Sequence, residues 1–443
     1  MKIHIEWLVR FLLVVILWAT CLIVAHADTP VLSMDGAIRR AVQTNLSTQL
    51  SQATSQEARG RAIQAAASLL PQISGSVSQA RVFKSNLAAQ GFEASSFLPD
   101  PVIGPYNTFD ARFTLVQKLL DMNSIWNTKA ASADAQVARF AEDLAAEQVA
   151  SAAALAYIED LRALHAVQDA QSNLDLAQKL STLAHHQHDA GLATGVDTAR
   201  AETRLAQDRQ RLIQARLAAT QADIRLKRVV GIPLGDPVSL SEPQNQPPGP
   251  VPQEVSAIAE AHSDRSEIRI TREELKAETY GVDAARAGYL PVISAEADYG
   301  WSGNVPDGSA RTGSIGGRLD LPIFNGGLTH GQVKEATGRH AAAQSQYNDT
   351  QIQVEEDVRL ALQTLTAESD DIDAAQTQLQ LAEVELKLAQ DRYSAGVGDN
   401  IQVVTAQASL EDARKSLVDV RARYTDARAN LAMALGHMQT FQL

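Results

Sequence analysis

From Asn123 to His188 the chain carries no proline, and from Leu328 to Tyr393 it again carries none. Proline removes an amide donor and clashes with the preceding turn, so each stretch is free to run as one helix. Ala, Gln, Leu, Asp, Glu and Arg recur throughout both, and all of these but Asp are good helix formers. Each stretch holds 66 residues; at a rise of about 1.5 Å per residue that is a rod of roughly 100 Å. A compact globule has no use for such a length, whereas a tunnel does.

The rods are copies. Ala190-Gly191-Leu192 and Ala395-Gly396-Val397 lie 205 residues apart, as do Val230-Gly231 and Leu435-Gly436. Leu205, Leu212, Ala219 and Leu226 recur every seven residues, and the same shift gives Leu410, Leu417, Tyr424 and Leu431, with Ala413, Val420, Ala427 and Ala434 interposed. Before the turns, Ile372, Ala375, Leu379, Ala382, Leu386, Ala389 and Tyr393 mirror Val167, Ala170, Leu174, Ala177, Ser181, Ala184 and His188. Leu beside Ala suits closely spaced helices, the small residue admitting the neighbouring backbone while Leu supplies the knob. Each half therefore predicts an antiparallel helical hairpin, turning near 189–197 and 394–401.

Four short stretches switch to period two. Phe109, Ala111, Phe113 and Leu115 alternate with Asp110, Arg112 and Thr114; Ile293, Ala295, Ala297, Tyr299 and Trp301 alternate with Ser294, Glu296, Asp298 and Gly300. Ile315, Gly317, Leu319 and Leu321 alternate likewise, and Ile73, Gly75 and Val77 more weakly. Strands are expected at about 72–83, 108–117, 292–301 and 313–323, lengths that suit membrane strands around a polar lumen. A soluble strand pair packed on the helices is the alternative. If the strands do cross lipid, four cannot close a barrel alone, and unpaired backbone facing hydrocarbon costs several kcal/mol per group. Leu70-Pro71 and Leu290-Pro291 mark the two joints where helix gives way to strand. The first strand-to-strand loop, about Lys84–Tyr106, is 15 residues longer than its counterpart. Seven of the fifteen prolines fall between Pro233 and Pro252, so an extended linker at 238–253 separates a first repeat, 28–237, from a second, 254–437, with a C-terminal tail at 438–443.

Residues 1–27 have the form of an export signal: Lys2 and Arg10 flank the start of the apolar run Phe11–Val24, and Ala25-His26-Ala27 offers a cleavage site. Cys21, the one cysteine, lies inside that segment, with Trp18 where a lipobox needs a smaller residue. The formal charge of −13 becomes −14 on losing two positive residues and one negative, which removes the electrostatic support for a nucleic-acid partner. No later stretch is apolar over eighteen residues, so any membrane crossing must use strands.

These features resemble the TolC or outer membrane efflux protein family over about residues 31–437. The resemblance rests on Leu32-Ser33-Met34-Asp35-Gly36-Ala37-Ile38, the two Leu-Pro joints, Leu321-Pro322-Ile323-Phe324-Asn325-Gly326-Gly327 and the paired glycine turns. It implies an α+β membrane protein: a homotrimer whose four strands per chain close a twelve-stranded barrel in the outer membrane of a Gram-negative bacterium, continued by a helical periplasmic coiled-coil tunnel. It further implies a passive exit channel for small molecules or ions, reached through a periplasmic adaptor from an inner-membrane transporter. Type I protein secretion and a periplasmic structural coiled coil are the alternatives.

In that family the second turn often carries an Arg and two Asp residues at the tunnel mouth. The matching positions here are Gly398, Gln402 and Thr405, so all three charges are missing, while the family's tip tyrosine is matched by Tyr393. Asp197, the first-half mate of Gln402, is the candidate acidic residue of the mouth, and Gly191, Gly195, Gly396 and Gly398 are the candidate turn and adaptor-contact positions. His185, His186 and His188 form the densest histidine group, but no second set of ligands accompanies them, and solvated tip residues are the plainer reading. No catalytic or cofactor motif is present, so neither an enzyme nor a cofactor is expected.

Overall fold

A computed structural model describes residues 31–83, 85–86, 102–103, 105–241, 251–395 and 397–442. The export signal with Cys21, most of the long strand-to-strand loop, the middle of the linker and Gly396 lie outside these residues. In chain order the elements are β1 (Val31–Leu32), α1 (Met34–Thr44), α2 (Leu46–Ala67), β2 (Gln72–Val82), β3 (Ser85–Asn86), β4 (Val102–Ile103), β5 (Tyr106–Leu120), α3 (Met122–Asp189), α4 (Gly195–Val230), β6 (Ser239–Leu240), α5 (Glu254–Asp264), α6 (Ser266–Ala287), β7 (Val292–Gly303), β8 (Ala310–Asp320), α7 (Leu328–Ser394) and α8 (Asn400–Leu435).

The duplication is visible in the lengths: α1 and α5 have 11 residues each, α2 and α6 have 22, and α4 and α8 have 36. The proline-free stretches are the helices α3 and α7, of 68 and 67 residues. At both Leu-Pro joints the helix tightens before it stops, with amides 68–70 bonding to carbonyls 65–67 and amides 288–290 to carbonyls 285–287. Pro71 and Pro291 follow, each without an amide to continue the ladder.

In the second hairpin the seven-residue series forms the seam: Ala382, Leu386, Ala389 and Tyr393 of α7 pack with Val403, Ala406, Leu410 and Ala413 of α8. Leu176, Leu180 and Leu183 of α3 close over the same cluster, so the two hairpins lie side by side near their tips. His188 departs from the series. It is exposed, and Gln187 takes the buried place beside it, because the helix is within two residues of its end and its neighbour faces the other hairpin.

At the other end of the hairpins, Met34, Ile38, Tyr157, Leu226, Val230 and Met438 form one core, with Ala150, Ala153 and Ala154 letting α1 approach α3. The Tyr157 hydroxyl lies 2.6 Å from the Ser241 carbonyl and 3.0 Å from that of Leu32. It holds the parallel pair β1 and β6, so the linker enters the fold at Ser239 and Leu240. The tail is likewise anchored, since Met438 is fully buried and its amide donates to Glu147 at 2.7 Å.

Several strand limits differ from the expected ones: β2 ends at Val82, β7 runs on to Gly303 and β8 starts at Ala310. β5 extends to Tyr106 and Leu120, where β2 and β7 still offer partners. β8 ends at Asp320 rather than 323, because its last partner is Val292, next to Pro291, and Pro322 itself cannot donate.

Candidate functional site

The four long strands form one antiparallel sheet in the order β2-β5-β7-β8. Their register lines like with like. Ile73, Leu115, Ala297 and Ile315 make one row across the sheet, and Val77, Ala111 and Trp301 another, with Phe113 opposite Tyr299 between them. Nearly all of these large side chains are exposed, Ile315 at 88% and Val77 at 76%. Tyr299 and Trp301 meet edge to face at 5.9 Å.

The opposite face is polar. Arg112 contacts Asp110 along its own strand and reaches Asp298 across the sheet at 3.2 Å. Ser314 also contacts Asp298, and Arg318 lies 3.4 Å from Glu296. Gly300 is opposite Arg112, and a Cβ there would come within 2.6 Å of the Arg112 Cα and Cβ, so the ion pair lies across a position that only glycine fits. β2 and β8 have a partner on one side each, and every residue of β8 is exposed.

At the far end of the hairpins, Gly191 turns the first one with a φ of 73°. Asp197 closes the start of α4: the Thr194 amide and hydroxyl both donate to it, at 2.9 and 2.8 Å. Those two bonds, the amide's first, hold its carboxyl below the usual carboxylate range, with the more distant Arg200 adding to them. The Asp197 carbonyl also accepts from Asn400 at 2.9 Å. Tyr393 is buried, and its carbonyl accepts from Gln187 at 3.1 Å. Burial, then the charges of Asp197 and Asp399, push its phenol pKa up.

Asp197 and Tyr393 thus share one end of the molecule. Gln402 and Thr405 are exposed on α8, Gly195 is exposed, and Gly398 packs against the Arg392–Tyr393 backbone. The histidines do not converge: His185 lies 3.0 Å from Glu202, and His188 lies 3.7 Å from Asp189.

Just above the tip, a charge network that the sequence reading did not single out joins α4 to α8. Arg204 lies 3.1 Å from Asp208 and also contacts Glu411; Arg211 reaches both acids, and Gln407 donates to Asp208 at 3.3 Å. Asp208 is 1% exposed. Burial raises its carboxyl pKa while the two arginines oppose the rise. A trace of the network is present in the sequence, because the repeat mates of Arg204, Asp208, Arg211 and Glu411 are Ser409, Ala413, Ser416 and Ala206. Each charge stands at a position where the other half keeps a small residue.

A profile of the outer membrane efflux protein family matches residues 37–232 and 257–437. The chain belongs to the outer membrane efflux protein family. Among curated relatives, the nodulation protein T of Rhizobium leguminosarum bv. trifolii is 24% identical over 279 residues, covering 60% of this chain and 58% of the relative. The pyoverdine export outer membrane protein OpmQ of Pseudomonas aeruginosa is 26% identical over 302 residues, covering 65% and 60%. The chain thus spans about three fifths of the length of the curated relatives it matches. The crystal structure of the outer membrane protein VceC of Vibrio cholerae shares the fold, with a TM-score of 0.80 at 22% identity over 91% of this chain and 96% of that one. As an outer membrane efflux protein the chain is located in the outer membrane, with its long helices in the periplasm.

Proposed function

We propose that the protein is the outer-membrane exit channel of a tripartite efflux pump, a passive conduit formed by three copies of this chain. The observation that carries the reading is the sheet: one face exposed and apolar, the other lined by Arg112, Asp298, Glu296 and Arg318, and both edges unpaired among the described residues. Lipid on the first face and water on the second satisfy both, and pairing β8 of one copy with β2 of the next satisfies the edges. The hairpins carry the lumen away from the membrane toward a periplasmic adaptor protein at their tips, and through it to an inner-membrane transporter. A small-molecule cargo fits the pyoverdine export for which the relative OpmQ is named.

The mouth of this channel is assigned to the tip that holds Asp197, Tyr393, Gln402 and Thr405. Three Asp197 carboxylates around a threefold axis attract cations into the opening, and their low pKa keeps them ionised at neutral pH. Purified protein in planar bilayers is expected to show discrete conductance steps, and Asp197→Asn to lower cation selectivity. A preparation that assembles in the membrane but never conducts overturns the channel reading. Conducting channels with the same selectivity in Asp197→Asn, together with a lower melting temperature, leave the residue only its helix-capping role.

A further inference from the structure

We propose that Glu260, Asp264 and His437 form a binding site for a divalent transition cation of the zinc class, at the joint between α5 and the end of α8. Glu260 and Asp264 are four residues apart on α5 and so share a face. Gly436 takes a φ of 82°, and a Cβ there would meet the Asp264 backbone at 3.3 Å; the next residue, His437, reaches that face. The imidazole lies 3.0 Å from Asp264 Oδ2 through Nε2 and 3.3 Å from Glu260 Oε1 through Nδ1. One ligand atom from each residue falls within 4.8 Å of the others, the one such set of three among the described residues. Zinc bonds to nitrogen and oxygen are about 2.0–2.2 Å long, so tetrahedral ligand atoms sit roughly 3.4 Å apart. Each ring nitrogen faces a different carboxylate, so holding an ion requires the imidazole to swing from between them and turn one nitrogen to the ion. Side-chain exposures of 39–45% leave access for the ion and for water as the fourth ligand.

The duplicated joint in the first half shows what the second half lacks. There Thr44 donates to the Val230 carbonyl at 3.0 Å, and Arg40 reaches the Gly231 carbonyl at 3.5 Å. Thr44 and Asp264 are the last residues of their 11-residue helices, and Arg40 and Glu260 each lie four residues earlier. Where the first joint carries its own cation on Arg40, the second presents two carboxylates. The neighbouring Arg265 is engaged elsewhere, with Glu267 at 2.9 Å and Asp357 at 3.1 Å, and Arg269 lies over the Phe140 ring at 4.0 Å. An imidazole with two carboxylates is a donor set that suits a divalent transition ion.

The test uses full-length protein in mild detergent, stripped with a chelator, titrated with Zn²⁺ in a calorimeter and analysed for bound metal. One zinc per protomer is expected. Losing an outer-shell partner of a metal ligand already costs roughly tenfold in affinity, so Glu260→Gln with Asp264→Asn is expected to weaken binding by more than tenfold. Replacing His185, His186 and His188 by Ala is expected to leave binding unchanged. If the double variant does not assemble, His437→Gln carries the same expectation. Wild-type protein that takes up no zinc overturns the proposal and leaves an ion-pair clamp. So does zinc binding that is lost with the three tip histidines and kept without the joint carboxylates.

Discussion

Asp160 sits on α3 with 3% exposure, and its Oδ1 has no hydrogen-bond partner among the described residues. Lys227, whose charge acts on Asp160, is itself paired with Asp223 at 2.6 Å. Burial first, and then the charge of Asp223, push the Asp160 pKa up to about 6. An acid whose folded pKa exceeds its unfolded value binds its proton more tightly in the fold. Its contribution is therefore fully present below about pH 4 and is lost as pH rises through about 6. Asp160→Asn is expected to raise stability at pH 7.5 by on the order of 1–3 kcal/mol and to flatten the decline between pH 5 and 7.5. Thermal melts at the two pH values in one detergent check this, and parallel profiles for the two proteins refute it. Such a residue is not legible in a sequence, because Asp160 looks like any acidic position on a helix until α4 supplies Asp223 and Lys227. Asp197 was more legible, since Thr194 three residues before it is a capping pattern. The Arg204 network lay between these cases, written as charges at positions whose repeat mates are small but unreadable until α4 met α8.

The elements were legible where one period dominates. Seven-residue spacing named the seam of α7 and α8 down to Tyr393, and alternation named the apolar face that carries Phe113, Leu115, Tyr299 and Trp301. It could not reveal that Val77, Ala111 and Trp301 share a row, because register is a property of pairs of strands. Phe113 is 61% exposed beside Gly75 and Tyr299. Phe113→Arg is expected to weaken assembly by about 2–4 kcal/mol if the row lies near the bilayer midplane, and by about 0–1 kcal/mol near an interface. Thr114→Arg is the control, since it points to the other face, opposite Asp298. Urea titration of both variants in lipid vesicles separates the faces. Equal losses, or a larger loss at 114, would reverse the assignment of lipid and lumen.

At the scale of the whole molecule, the duplication explains why the chain has four long strands and two hairpins. Each half supplies helix, helix, strand, strand and hairpin in the same order, and the two halves meet at β5 and β7, which pair from Phe109 to Leu120. That central pairing was not readable from either half alone, because neither half encodes its neighbour. It also leaves β2 and β8 as the outer strands of a sheet whose apolar face is open. A sheet that crosses lipid cannot keep such edges, and the smallest single-chain barrels use eight strands, twice what this chain provides. Three copies joined β8 to β2 give twelve strands and bring the hairpins around one axis. Light scattering in mild detergent, with the detergent mass subtracted, is expected to give three protomers that do not separate on dilution. Gly316→Pro puts a residue without an amide donor into β8, which has no second partner among the described residues. It should shift the population toward single chains while circular dichroism keeps the helical signal of α3 and α7. A wild-type monomer that is stable in the same detergent with its strand signal intact would show that the open edges are tolerated, and the closed barrel would fall with it.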